Sequence, residues 1–286
     1  MRLNVLNRAD KPKESAGQEA DVYVRLSKLP PYQPTALKLL NISCDSASAT
    51  ADFEKAFKAD PALTADLLLV ANSAQFGARS RVDSIRHAIS YLGLERVRAL
   101  ASTIGFSYYV RGGGKNEYAK SIWTHGLATA VIADLVGNGL EITGTYTAGL
   151  THDMGRLALL ECDAAGYASQ LGRTYPTLEE ALESEKELFG MTHCEAGAII
   201  AKQWRFPEQL ETCVGEHHKR GRDGVCSTVD VVRLACVLAD AAGFAEVQRE
   251  DTPSSLPLPE SVKGIAGLDL EHLREFVSSE IAKFSM

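Results

Sequence analysis

Between Thr35 and Phe244 apolar residues recur at three- and four-residue intervals, and proline, glycine and capping polar residues cut that pattern into short segments. Alternation of apolar and polar residues, the mark of a half-buried strand, is nearly absent. Such a chain can bury its apolar stripes only by packing helix on helix, so the expected fold class is all-α. Asp60-Pro61 opens a helix carrying Leu63, Leu67, Val70 and Ala71, with the aspartate as cap and the proline in the first turn. Asp83 or Ser84 starts another that Gly93 ends, and Leu94–Val110 continues with Val97, Leu100, Ala101 and Ile104. In Tyr118–Gly137 the residues Ile122, His125, Thr129, Ile132 and Val136 fall on one stripe, which turns His125 inward. Thr145–Asp153 forms a second inward helix ending near Gly155. Thr177 caps a helix running to Phe189, and Thr192 with Glu195 three residues on reads as a capping box. Thr228–Phe244 is a strongly apolar helix bearing Asp240, and a last helix spans about Leu268 to Ser285.

With 286 residues, 45 % of them hydrophobic, the chain holds one large domain or two ordinary ones. Residues 1–21 are polar and expected to form a flexible arm. Arg111-Gly112-Gly113-Gly114-Lys115 breaks the helical pattern and separates an N-terminal helical lobe, 22–115, from a second lobe, 116–245. Residues 246–286 begin with a proline-rich surface excursion, Glu246–Pro259, and end in the closing helix. A formal charge of −7 does not favour a nucleic-acid partner. No signal-like apolar start and no apolar run of about 18 residues is found, so a cytoplasmic protein without a membrane partner is expected. The six cysteines lack Cys-x-x-Cys spacing and read as reduced thiols. Cys194 adjoins His193, but neighbours on a helix point about 100° apart.

Five of the seven histidines, His125, His152, His193, His217 and His218, fall in one interval with Asp153 and Asp240. Each has an ordinary explanation, since a buried imidazole needs only two hydrogen-bond partners and His217-His218 suits a helix C-terminus. Asp240 within an apolar helix needs a cation or donor to balance it. Together, the seven suit one or two divalent ions, Fe, Mn, Ni or Zn, held by side chains from several helices. Two such ions against two carboxylates leave a surplus of about +2, which invites phosphate or hydroxide. Asp153 is the candidate bridge between ions about 3.5–4 Å apart, and Arg156, one turn beyond His152, is the candidate phosphate clamp. Lys219, Arg220 and Arg222 form either an anion rim or a solvated loop.

The order His, His-Asp, His, His-His, Asp on helices resembles the HD phosphohydrolase superfamily. Ile122-Trp123-Thr124-His125, Gly149–Arg156, Glu187–His193, Gly197-Ala198, Trp204–Pro207, Glu216-His217-His218 and, upstream, Ile85–Gly93 together look like the HDOD domain over residues 22–245. The resemblance implies an HD-domain-like multi-helix bundle with an N-terminal helical lobe. It also implies a bacterial signalling output domain, related to the HD-GYP cyclic-di-GMP phosphodiesterases but generally non-catalytic. Two departures bear on activity: Ser121 stands where those enzymes have a ligating glutamate, and Lys219–Gly224 never reaches a Gly-Tyr-Pro.

The expected function is therefore a signal-transduction module of two-component type with a metal-holding core, acting through contacts with a sensor kinase or regulator. The competing expectation is a metal-dependent phosphodiesterase acting on a nucleotide or cyclic dinucleotide, with Asp153 and Arg156 as its catalytic residues.

Overall fold

The computed structural model describes residues 11–73, 76–77, 80–112, 117–219, 227–253, 269–282 and 284. Their order is α1 (Lys11–Leu26), α2 (Pro34–Leu40), α3 (Ala49–Lys58), α4 (Pro61–Ala71), α5 (Ile85–Leu92), α6 (Leu94–Gly112), α7 (Glu117–Gly139), α8 (Thr145–Thr151), α9 (Met154–Cys162), α10 (Ala164–Leu171), α11 (Leu178–Phe189), α12 (His193–Gln203), α13 (Glu208–Glu216), α14 (Thr228–Ala239) and α15 (Leu270–Ala282). A wide π-helical turn, Asp240–Phe244, follows α14. The chain is all-α, as the periodicity requires. Among the described residues the only strand pairing is two residues long, β1 (Thr174–Tyr175) parallel to β2 (Gln248–Arg249).

Capping sets several of these boundaries. Asp60 Oδ1 accepts from Leu63 N at 3.0 Å with Pro61 behind it, Ser84 Oγ accepts from His87 N, and Gly93 leaves α5 at φ 83°. Phe53, Phe57, Leu63, Leu67, Ile85, Ile89, Val97, Leu100 and Ile104 then pack α3 to α6 into one core, joined by Leu39. Tyr32, Ala36 and Leu40 from the α2 region, with Phe106 of α6, belong instead to the core built around α8 to α13. The seam between these two cores runs through α2 and α6. A cavity of about 780 Å³ opens along it, lined by Arg96, Asp134, Asn138, Tyr146 and Phe276 among others.

Two segments depart from expectation. Helix α1 occupies residues expected to form a loose arm, because Val22 and Leu26 are buried in the second lobe's core and Arg25 donates to the Cys162 carbonyl at 2.8 Å. Polar residues carry that helix until its last turns, so apolar periodicity cannot reveal it; residues 1–10 lie outside the described ones. The expected surface excursion at 246–259 begins instead in the interior. Glu246 and Val247 are enclosed, and the pairing of Gln248 and Arg249 with Thr174 and Tyr175 fixes them there. Residues 254–259, with the last prolines of that stretch, are not among those described.

Small residues bring the central helices together. A Cβ on Gly149 of α8 would stand 2.9 Å from the Thr129 carbonyl of α7, and one on Gly126 3.1 Å from that of Leu150. At Gly155 a Cβ would meet the His193 carbonyl at 1.9 Å and the Gly197 nitrogen at 2.7 Å. These contacts exist only because the side chains are missing. They place the start of α12 against the α8–α9 corner. Leu273 and Val277 of α15 close the far side against Val131, Val136 and Leu238. No helix of the described residues is long and apolar enough to cross a membrane.

Candidate metal centre

Helix ends and close crossings deliver the histidines to one point. His125 lies in the middle of α7; His152 and Asp153 form the break between α8 and α9; His193 opens α12; His217 caps α13. His125, His152, His193 and His217 are all fully buried, and Asp153 is 2 % exposed. His218, the next residue, is half-buried but turns a shielded Nε2 inward, with its ring 5.1 Å from that of His193.

Every one of the four buried rings is tethered from behind through Nδ1. His125 Nδ1 faces the Phe244 carbonyl at 3.1 Å, His152 Nδ1 the Gly149 carbonyl at 2.6 Å, and His217 Nδ1 the Val214 carbonyl at 3.0 Å. His193 Nδ1 faces Glu185 Oε2 at 2.8 Å. A carbonyl or carboxylate oxygen only accepts, so the proton sits on Nδ1 and the Nε2 lone pairs are free to ligate. Those Nε2 atoms then converge in two pairs: His125 and His152 at 3.3 Å, His193 and His217 at 3.4 Å. The tetrahedral edge for metal–nitrogen bonds of about 2.0–2.1 Å is about 3.4 Å, so both pairs fit a shared ion.

Asp153 stands between the pairs. Its Oδ2 lies 3.7 Å from His125 Nε2 and 3.6 Å from His152 Nε2, while its Oδ1 lies 3.1–3.2 Å from the Nε2 atoms of His217 and His193. Oδ1 is buried and faces only imidazole nitrogens. An oxygen in that position requires a compensating cation. Protons supply part of it: burial lowers His217, but neighbouring Cys194 and Asp153 outweigh it and hold the ring up to about 9. Burial pushes His152 down to about 3 and keeps that ring neutral.

Asp240 meets this arrangement at His125, in a group with Glu246 whose donor atoms lie close enough to hold an ion. Its Oδ2 accepts from Arg249 at 2.6 Å, and its Oδ1 lies 3.4 Å from His125 Nδ1, the nitrogen facing away from His152. Arg156 departs from expectation. Expected to clamp a phosphate, it is buried, and its guanidinium is engaged by Asp153 Oδ2 at 3.2 Å, Glu246 Oε1 at 3.2 Å, Glu185 Oε1 at 2.8 Å and the Tyr167 hydroxyl at 3.1 Å. Ringed in this way, its Nε and Nη1 hold three carboxylates and the Tyr167 hydroxyl in place. Lys219 is exposed and paired with Glu216, and Arg220 and Arg222 lie outside the described residues.

Sequence reasoning missed Glu185, Glu246 and both inner cysteines. Glu185 had a signal: it sits between Ala181 and Phe189 on the buried stripe of α11, where a charge is out of place. Glu246 had none, lying in irregular chain. Cys194 was set aside on helical geometry, yet its Sγ is 3.4 Å from His193 Nε2 and 3.8 Å from His217 Nε2. First-turn side chains tilt toward the helix N-terminus, so a point off the end of α12 is within reach of both. Cys236 Sγ, in the last turn of α14, lies 3.6 Å from His125 Nε2.

The HDOD domain family matches residues 29–220 of this sequence. The chain belongs to the HDOD family. Among solved HDOD-like structures, a candidate phosphohydrolase from Shewanella amazonensis superposes with TM-score 0.65 at 20 % identity, over 93 % of this chain and 96 % of that one. An HDOD domain protein of unknown function from Geobacter sulfurreducens gives 0.65 at 22 % identity, over 93 % and 89 %. A candidate metal-dependent phosphohydrolase from S. amazonensis gives 0.60 at 16 %, over 96 % and 98 %. These likenesses establish the fold. An uncharacterized protein of Treponema pallidum (strain Nichols) is 23 % identical over 209 residues, covering 70 % of this HDOD chain but only 39 % of its own length. Asp240 and Glu246 lie beyond the stretch matched by the family.

Proposed function

We propose that this HDOD chain is a regulatory module of bacterial signal transduction whose HD-type core holds one or two divalent ions as a structural centre. The carrying observation is the set of four buried imidazoles, each tethered through Nδ1, whose Nε2 atoms meet around the buried Asp153 carboxylate. Enclosure argues for a structural role, since catalytic ions keep an open position for substrate and water. Arg156 Nε and Nη1, engaged by buried carboxylates, and Ser121 point the same way. Output then passes through the surface, to a protein partner such as a sensor kinase or regulator in the cytoplasm. Chelation of the metal-loaded chain should lower its thermal midpoint, while a panel of nucleotides and cyclic dinucleotides with Mn or Fe should show no turnover.

One observation favours the phosphodiesterase reading: Asp153 presents one oxygen to each histidine pair, as a bridging carboxylate in a two-ion hydrolase does. Turnover that is lost in Asp153→Ala would establish that reading in place of the first.

A further inference from the structure

The inner thiol next to His193 belongs to no family motif quoted above, and its position is that of a ligand. We infer that Cys194 ligates, as thiolate, the ion held by His193, His217 and His218, giving this subsite a three-nitrogen, one-sulfur donor set that selects zinc; this rests on reading the cluster as a metal centre.

Four donors, Cys194 Sγ and one ring nitrogen each from His193, His217 and His218, lie within 4.8 Å of one another. Tetrahedral coordination with metal–sulfur bonds of about 2.3 Å and metal–nitrogen bonds of about 2.0–2.1 Å puts sulfur and nitrogen about 3.6 Å apart. The observed separations of 3.4 Å to His193 and 3.8 Å to His217 bracket that value. His218 Nε2, the fourth donor of this group, is shielded from water and lacks any hydrogen bond. A shared ion gives that nitrogen its partner. On coordination the thiol releases its proton to solvent and the sulfur lone pair forms the metal bond, with no change of oxidation state. Thiolate among imidazoles suits zinc better than magnesium or manganese, which prefer oxygen ligands.

The test is cobalt(II) substitution of the full chain, read by absorption. Visible d–d bands report tetrahedral binding, and a near-ultraviolet sulfur-to-cobalt charge-transfer band reports the thiolate. Expected is a wild-type spectrum with both features, a charge-transfer band lost in Cys194→Ser and Cys194→Ala with d–d bands retained, and both features kept in Cys44→Ser. Wild-type cobalt binding without the charge-transfer band overturns the Cys194 assignment alone. So does a band that disappears in Cys236→Ser but persists in Cys194→Ser. Absence of any cobalt binding overturns the metal centre itself. Should the Cys194 variants not fold, zinc K-edge absorption on wild type and Cys236→Ser decides: a sulfur neighbour at about 2.3 Å in both supports the assignment, and a shell of nitrogen and oxygen only contradicts it. Zinc retention against a chelator should fall more than about tenfold in Cys194→Ser, since even changes behind a ligand cost 10–100-fold.

Discussion

At the scale of single residues, the centre depends on groups that hold the ligands as much as on the ligands. Glu185 joins His193 Nδ1, the His193 backbone nitrogen, Arg156 and the Tyr167 hydroxyl in one buried network. Glu185→Gln would leave Arg156 short of a counter-charge in the interior, where a broken buried pair costs about 3–5 kcal/mol. Urea denaturation of the metal-free protein should show that loss, and zinc affinity should fall about 10–100-fold because His193 is no longer oriented. Tyr167→Phe removes a neutral hydroxyl that donates to Glu185 and accepts from Arg156, and should cost about 1–3 kcal/mol. Acidity has a signed effect as well. His217 is held up to about 9, above the ordinary imidazole value of about 6.5, so its charge stabilises the metal-free fold fully below the lower value and ceases to do so as pH rises through the higher. An entering ion must displace that proton. Between pH 6.5 and 9, therefore, the metal-free chain should lose stability while metal affinity rises, with net proton release visible in calorimetry across buffers. The histidine and aspartate positions were legible because their spacing is a pattern of residue types. Glu246, whose Oε2 lies 3.0 Å from His125 Nδ1, was not, since nothing in Phe244-Ala245-Glu246-Val247 distinguishes a buried acid from a solvated one.

Among the helices, geometry is set by where glycine permits contact. Gly155 and Gly197 let α9 and α12 touch backbone to backbone, and this contact carries His193 to Asp153. Gly155→Ala would drive a methyl into the His193 carbonyl, and backbone cannot rotate aside. The variant should lose about 1–3 kcal/mol or more and bind zinc more weakly, measured by thermal melts with and without metal. Gly17 offers the contrast: it lies in α1 with nothing within 4 Å of a Cβ, so Gly17→Ala should stabilise the chain by about 0.5–1 kcal/mol. Helix starts marked by a cap, such as Asp60-Pro61, Ser84, Thr177 and Thr192 with Glu195, could be read from sequence because the capping group is local. Helix α1 could not, since what fixes it is Val22 and Leu26 meeting residues far along the chain.

For the whole molecule, two of the three apolar cores of the described residues share α2 and α6, and the buried centre lies among α7, α8, α9, α12 and α13. The fold class was legible because helical periodicity without strand alternation leaves few alternatives, and the order of histidines and aspartates pointed to the HD-type arrangement. Which side chains face inward around it was not, because Arg156, Cys194 and Asp240 take their roles from neighbours that only packing supplies. That the imidazoles and Asp153 share a cation is the proposition on which the function rests. Elemental analysis of the full chain after reconstitution with Zn, Fe, Mn or Ni measures it directly. One or two ions per chain are expected, falling sharply in Asp153→Asn; a wild-type chain that stays metal-free under every loading condition would contradict the shared centre.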